Sequence, residues 1–244
     1  MAAGGRAGAD GTSTGGGGVG GEQELAGAGG SETDASPVAI AVIGASSAAG
    51  KNLPEGGYSP SDSWVNRYLA YLVAKRPGST IINLAVSGTS TFHALPTGTQ
   101  NPSDQPAVDP VHNVTAALAT HPDAIIVSFP SQALVEDGLA DTVIANLQTI
   151  ASAAAAEGVP VWASTNQPNK NTLASIPAQL AYRDLVLQTF GSRGLDFWTP
   201  LADENGVAIS TYLNAYDDVH PSAEGHRVLF EQVVAAHLDA AIAP

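Results

Sequence analysis

Two stretches of this 244-residue chain carry residue types that can do chemistry together. Ser46 stands in the run Ile43-Gly44-Ala45-Ser46-Ser47-Ala48-Ala49-Gly50, directly after an apolar segment and among small neighbours. Small flanking residues let a substrate carbonyl and backbone N–H groups come close to the hydroxyl, and a helical turn after Ser46 would aim positive dipole at developing negative charge. Far downstream, Asp217-Asp218-Val219-His220-Pro221 sets a carboxylate three residues before an imidazole. On a turn, that spacing lets Asp217 hold the Nδ1 proton of His220 and leaves Nε2 free to take a proton from a serine. Asp218 is the competitor for this role, and its plainer use is to cap the turn or face water. Nucleophile, base and orienting acid together make a hydrolase constellation.

Those residues need a scaffold, and the hydropathy pattern supplies one. Val38–Ile43 is a continuous apolar run ending at Gly44, suited to a strand buried on both faces of a parallel sheet. Similar runs recur at Thr80–Leu84, Ala124–Ser128, Val159–Ala163 and Leu195–Trp198. Between them lie helical segments. The first has N-cap candidates Ser61, Asp62 and Ser63, with Trp64, Tyr68, Leu69, Leu72 and Val73 at helical spacing. Further helices are predicted from Asp109-Pro110 to His121-Pro122, over Ala140–Glu157 with Gly158 as a stop, over Pro177–Ser192, and over Ser222–Ala241. Five strands alternating with helices predict an α/β fold: a three-layer α/β/α sandwich around a five-stranded parallel sheet with right-handed crossovers. The irregular Gly, Pro and Thr segment from Leu95 to Pro106 is a candidate functional loop.

In such sheets ligands bind beyond the carboxyl ends of the strands. Ser46, Gly88 and Gln132 fall just past strands one, two and three, so three separately encoded loops point at one rim. With these residues and the Asp217-x-x-His220 pair, the chain resembles the SGNH hydrolases, also called the GDSL esterase and lipase family, over about residues 38 to 240. The resemblance implies a flavodoxin-like sandwich in which Ser46 is the nucleophile and Asp217 and His220 are the acid and base. It also implies an oxyanion hole formed by Ser46, Gly88 and Gln132. Two positions depart from the family pattern. Ala45 stands where Asp is usual, although that Asp is not the catalytic acid. Pro130-Ser131-Gln132-Ala133 replaces the usual Gly-x-Asn-Asp, so Gln132 presents the same carboxamide one methylene further out. Read without the family, Gly88 is a turn glycine with positive φ.

Composition narrows the partners. Net charge is −14 with no basic cluster, which argues against nucleic acid and against an anionic membrane surface. No run of 18 apolar residues exists to span a membrane. Zero cysteines exclude disulfides, thiolate metal sites and a Cys nucleophile. No HxH, HExxH or clustered carboxylate spacing argues for a metal, and no cofactor is implied. Gly44 to Gly50-Lys51 has the wrong spacing for a P-loop, and no Ser or Thr follows Lys51. His93, His112, His121, His226 and His237 are expected to be surface or packing residues, with His93 on the rim loop. Asn166 and Gln167 follow strand four on that rim and either line the pocket or cap their own loop. Asn113-Val114-Thr115 fits a glycosylation sequon but is discounted in a chain whose tail looks bacterial.

Residues 1–36 read as a disordered linker. Half the glycines, 13 of 26, lie in the first thirty residues with almost no aliphatic side chains, too little apolar surface to offset ordering entropy. Such a tail resembles the tether of an exported bacterial enzyme, which predicts a secreted or cell-surface protein whose signal or anchor is absent from this sequence. Residues 37–244 suffice for one well-cored domain. The expected activity is a serine carboxylic ester hydrolase working through an acyl-enzyme on short-chain, acetyl-type esters of small molecules or carbohydrate. An acyltransferase and a non-catalytic binding domain on the same scaffold are the alternatives.

Overall fold

A computed structural model describes residues 36–242 of the chain. The segment read as a linker lies outside them except for Ser36. Five strands form one parallel sheet: β1 (Ala39–Gly44), β2 (Thr80–Asn83), β3 (Ala124–Ser128), β4 (Val161–Ser164) and β5 (Gly194–Leu195). Their spatial order is β2-β1-β3-β4-β5. This is the flavodoxin-like order, in which the winding reverses between β1 and β3 and opens a crevice at their carboxyl ends.

Strand side chains alternate between two apolar layers, as the period of two requires. Ala41 and Ile43 of β1, Ile125 and Val127 of β3 and Val161 and Ala163 of β4 face one cluster. That cluster includes Val143, Leu147 and Ile150 of helix α4 (Ala140–Ala156) and Tyr182 and Val186 of α5 (Ile176–Phe190). Ile40, Val42, Ala124, Ile126 and Trp162 face the other, with Trp64, Tyr68 and Leu72 of α1 (Trp64–Lys75) and Val228, Leu229 and Val233 of α6 (Ala223–Ala235). Full burial of each such side chain contributes about 2 kcal/mol, so both faces of the central strands must be apolar, as their continuous runs foretold.

The first helix starts at the third of its three candidate caps. Ser63 Oγ accepts the Asn66 N–H at 3.2 Å, while Pro60–Asp62 forms a preceding 3-10 turn. Three expectations are corrected. The helix expected from Asp109 to His121 shrinks to α2 (Val114–Leu118), because the Asp109 carboxylate turns back on the Val111 N–H and Asn113, in extended backbone, caps Ala116 instead. Gln132, expected on a loop past strand three, is instead the first residue of a one-turn helix α3 (Gln132–Glu136). The final helix breaks at His237, whose φ of 48° lies in the left-handed region, and resumes as α7 (Leu238–Ala241) with Leu238 in the cluster of Tyr68 and Leu72. Among the described residues no helix is long and apolar enough to cross a membrane.

Candidate active site

The rim beyond the strand ends is a closed ring of loops stitched by hydrogen bonds. β1 runs into the turn carrying Ser46. Gly44 allows this close passage, since a Cβ there would sit 2.4 Å from the Ser128 carbonyl oxygen. Ala45 N–H then donates to that same carbonyl at 3.0 Å, fixing the turn against β3. The β2 loop is joined to it by Val86 N–H and Thr89 Oγ1 on the Gly44 carbonyl, at 3.0 and 3.1 Å, and by the Asn83 carboxamide on the Ala48 carbonyl at 2.9 Å. The β3 loop meets the β4 loop where Gln132 Nε2 donates to the Gln167 carbonyl at 2.8 Å. The β4 loop meets the Asp217–His220 loop through Lys170, whose N–H donates to the Asp218 carbonyl at 3.2 Å and whose ammonium pairs with the Asp218 carboxylate. The ring closes where the Asn52 carboxamide donates to Asp217 and Asn214 Nδ2 donates to the Asn52 carbonyl at 2.7 Å.

Within this ring, Asp217 and His220 lie in direct contact, with Nδ1 2.7 Å from Asp217 Oδ2. The other carboxylate oxygen accepts the N–H groups of Val219 and His220, both at 2.9 Å, so the Asp-x-x-His spacing closes a turn on its own acid. Burial alone would raise the Asp217 carboxyl. The donors from Asn52, from the His220 backbone and ring and from Val219 outweigh it and hold the acid well below the usual carboxylate range. Asp217 is therefore an anion facing the Nδ1 proton. Asp218 has its backbone at φ 57° and its carboxylate turned to Lys170, away from His220.

Ser46 is half-buried at the rim. Neighbouring Ser47 is buried, and its hydroxyl makes no hydrogen bond among the described residues. The turn after Ser46 is irregular. Ala49 N–H reaches the Ala45 carbonyl and Lys51 N–H the Ser46 carbonyl, both at 3.0 Å, so no regular helix follows Ser46. Among the described residues no hydrogen bond joins the Ser46 hydroxyl to His220, and such contacts commonly tighten only with substrate bound. The N–H groups of Ser46 and Gly88 have no acceptor among the described residues, and Gly88 has the positive φ, 85°, expected of it. Gln132, the first residue of α3, commits one carboxamide N–H to Gln167 and keeps one more; its own carbonyl accepts from Gln179 Nε2 at 3.0 Å. Asn166 and Gln167 are buried beside it, and Asn166 bonds Gln179 rather than facing a pocket.

The remaining histidines spread over other settings. His226 is fully buried with Nδ1 accepting the Trp64 N–H at 3.3 Å. Burial, with Arg67 and His220 nearby, pushes its pKa down to about 3. His93 Nδ1 accepts the Ser90 N–H at 3.0 Å. His112 repeats the Asp-x-x-His spacing: Asp109-Pro110-Val111-His112 places Nδ1 2.8 Å from Asp109 Oδ2, and the Val111 N–H, the largest influence, lowers the Asp109 carboxyl. Among the described residues, this second pair has no side-chain donor to match Asn52. The Asn113 sequon is closed off, since Asn113 is buried and donates to Thr97 Oγ1 at 2.8 Å. Sequence reasoning passed over Asn52. Its one local signal is a residue type tolerant of positive φ, here 63°, in a turn between Lys51 and Leu53.

Comparison with solved structures places this architecture among known folds. The TesA crystal structure is 17% identical with a TM-score of 0.61, covering 82% of this chain and 98% of its own. A mutant of Axe2, an acetyl-xylooligosaccharide esterase from Geobacillus Stearmophilus, is 17% identical with a TM-score of 0.59, covering 84% of this chain and 95% of its own. The psychrotrophic esterase EstA from Pseudoalteromonas sp. is 12% identical with a TM-score of 0.52, covering 82% and 96%. No curated protein matches the chain by sequence. The profile of the GDSL-like Lipase/Acylhydrolase family matches residues 42–228, well over half of the sequence, and the chain belongs to that family of hydrolases.

Proposed function

We propose that the protein is a serine carboxylic ester hydrolase in which Ser46 is the nucleophile, His220 the general base and Asp217 its orienting acid. The observation that carries this reading is the Asp217–His220 contact at 2.7 Å on a loop bonded through Asn52 and Asn214 to the turn bearing Ser46. Ser46 Oγ attacks the ester carbonyl while His220 Nε2 takes its proton, and Asp217 stabilises the imidazolium. The negative charge on the carbonyl oxygen is met by the N–H groups of Ser46 and Gly88 and by the free N–H of Gln132. Collapse of the tetrahedral intermediate breaks the ester C–O bond, and His220 returns the proton to the departing alcohol. Water, deprotonated by His220, then cleaves the acyl-Ser46 ester and regenerates the hydroxyl.

Short acyl groups suit the rim. The large exposed apolar side chains Val111, Leu173 and Tyr216 are single residues from three separate segments, each flanked by polar or small neighbours rather than by an apolar run. Tyr216, 62% exposed and adjacent to Asp217, presents a flat ring on which a sugar can stack. An acetylated carbohydrate is therefore the favoured substrate class, in keeping with the secreted or surface-tethered setting that the Gly-rich tail suggests. A p-nitrophenyl ester series from acetate to palmitate tests this: rates should be highest at acetate, collapse with chain length, and vanish in Ser46→Ala. A maximum at palmitate would overturn the substrate class. One observation favours a non-catalytic scaffold instead, the commitment of Gln132 to Gln167; absence of hydrolysis across the series would support it. Transfer of acetyl to an added alcohol in preference to water would mark an acyltransferase.

A further inference from the structure

We infer that Asn52 is a positioning residue for the acid, so that the site works as a chain of four side chains, Asn52, Asp217, His220 and Ser46, and not three. This rests on the ester-hydrolase reading of the same site. Asp217 is an acceptor only, so the Asn52 atom facing it is the carboxamide nitrogen, donating to the same Oδ2 that accepts from His220 Nδ1. With Oδ1 already held by the N–H groups of Val219 and His220, Asn52 supplies the contact that fixes the remaining rotation of the carboxylate about its Cβ–Cγ bond. The imidazole plane, and with it the direction in which Nε2 points, follows from that rotation.

Asn52 is itself held from three sides. Leu53 beside it is fully buried and anchors the turn. The Asn52 carbonyl accepts from Gly56 N–H at 3.0 Å and from Asn214 Nδ2 at 2.7 Å. Asn214 is fully buried, its Oδ1 taken by the Tyr216 N–H at 3.0 Å, and a Cβ at Gly56 would lie 2.4 Å from that oxygen. Both ends of the Asn214 carboxamide are thus bonded, Nδ2 to the Asn52 carbonyl and Oδ1 to the Tyr216 N–H. The same residue that closes the Asp-His loop, accepting the N–H groups of Asp217 and Asp218 on its backbone carbonyl, also grips the turn after the nucleophile. Asn52 thus fixes the distance and angle between the loop that gives the base and the loop that gives the nucleophile. The look-alike pair Asp109 and His112 has the spacing and the contact and no such partner, which separates a poised dyad from a structural one.

The test uses the full chain. At φ 63° glycine is tolerated and alanine is strained, so Asn52→Gly removes the carboxamide without forcing the backbone. The readouts are kcat per active site on p-nitrophenyl acetate, with sites counted by fluorophosphonate titration, the labelling rate itself, and the downfield NMR resonance of the His220 Nδ1 proton. Loss of one hydrogen bond to a charged group corresponds to about 10- to 100-fold. Asn52→Gly should lower kcat per titrated site and the labelling rate by that factor, leave KM within about twofold, and shift or broaden the Nδ1 resonance. A merely structural role would reduce the number of titratable sites and leave the rate of each unchanged, and that result overturns the inference. Should Asn52→Gly fail to fold, Asn52→Asp keeps the carbonyl that Asn214 grips and sets a second carboxylate against Asp217. It must then cost at least as much, and a parent-like rate overturns the inference. If the parent itself is not labelled, the ester-hydrolase reading falls and takes this role with it; a labelled parent with a parent-like Asn52→Gly refutes the role of Asn52 alone.

Discussion

Gln132 Nε2 donates to the Gln167 carbonyl at 2.8 Å, so the side chain that the sequence aims at an oxyanion is also a strut between the loops after β3 and β4. In the proposed site both uses would fall on one residue. A carboxamide has two N–H groups, and the one not bonded to Gln167 is the donor proposed for the oxyanion.

This dual use predicts two separable losses. Gln132→Ala should cut kcat about 10²- to 10³-fold with KM nearly unchanged, as for removal of one oxyanion donor, and should also lower the melting temperature by freeing the strut. Gln132→Asn, which restores the family's usual residue, is too short to keep the Gln167 contact and should be slower than the parent. Steady-state kinetics with a thermal melt reads both. A faster Asn variant would mean that the strut is dispensable.

Asp217 and Asp218 are neighbours in sequence with opposite partners, His220 and Lys170. Asp217→Asn should therefore lower kcat by about 10³- to 10⁴-fold, in the manner of a triad acid replaced by its amide, whereas Asp218→Asn, losing a half-exposed ion pair, should stay within a few-fold. Equal losses in the two variants would contradict the pairing.

How much of this was legible in the residues divides along physical lines. Strands β1, β3 and β4 are buried on both faces, so hydropathy alone located them within two residues. Ser46, Gly88, Asp217 and His220 were singled out by their motifs, and the contact that the Asp-x-x-His spacing calls for is present between Asp217 and His220. Helix ends were less legible because they depend on rival caps: Asp109 with Pro110 looks like a start, yet its carboxylate is drawn to His112 and the true cap is Asn113. The break at His237 was hidden because nothing in Ala235-Ala236-His237-Leu238 forbids a helix; after it Leu238 is fully buried. Asn52 was out of reach, since its partner lies 165 positions away and only the closed ring of loops brings the two together.

Stability should respond to acid through His226. Its folded pKa of about 3 is below the ordinary 6.5, because burial resists the charge. The unfolded chain therefore takes up a proton that the folded chain refuses. The contribution is intact above about pH 6.5 and is lost as pH falls toward 3, at about 1.4 kcal/mol per pH unit. Between pH 7 and pH 5 this amounts to about 2 kcal/mol. His226→Asn, whose Oδ1 takes the place of Nδ1 as acceptor for the Trp64 N–H, should lose correspondingly less over that interval in urea titrations. Parallel losses in parent and variant would show that the buried ring is not the sensor.

The central claim is that Ser46, and not Ser47, is an activated nucleophile. Incubation with a fluorophosphonate probe followed by peptide mass spectrometry tests it most directly, because only a serine with a working base and oxyanion donors reacts readily. One adduct per chain is expected on Ser46, abolished in Ser46→Ala and His220→Ala and retained in Ser47→Ala. Hydrolysis in Ser46→Ala should fall by about 10⁴- to 10⁶-fold. An adduct on Ser47, or an unlabelled protein that still hydrolyses p-nitrophenyl acetate after Ser46→Ala, would contradict it.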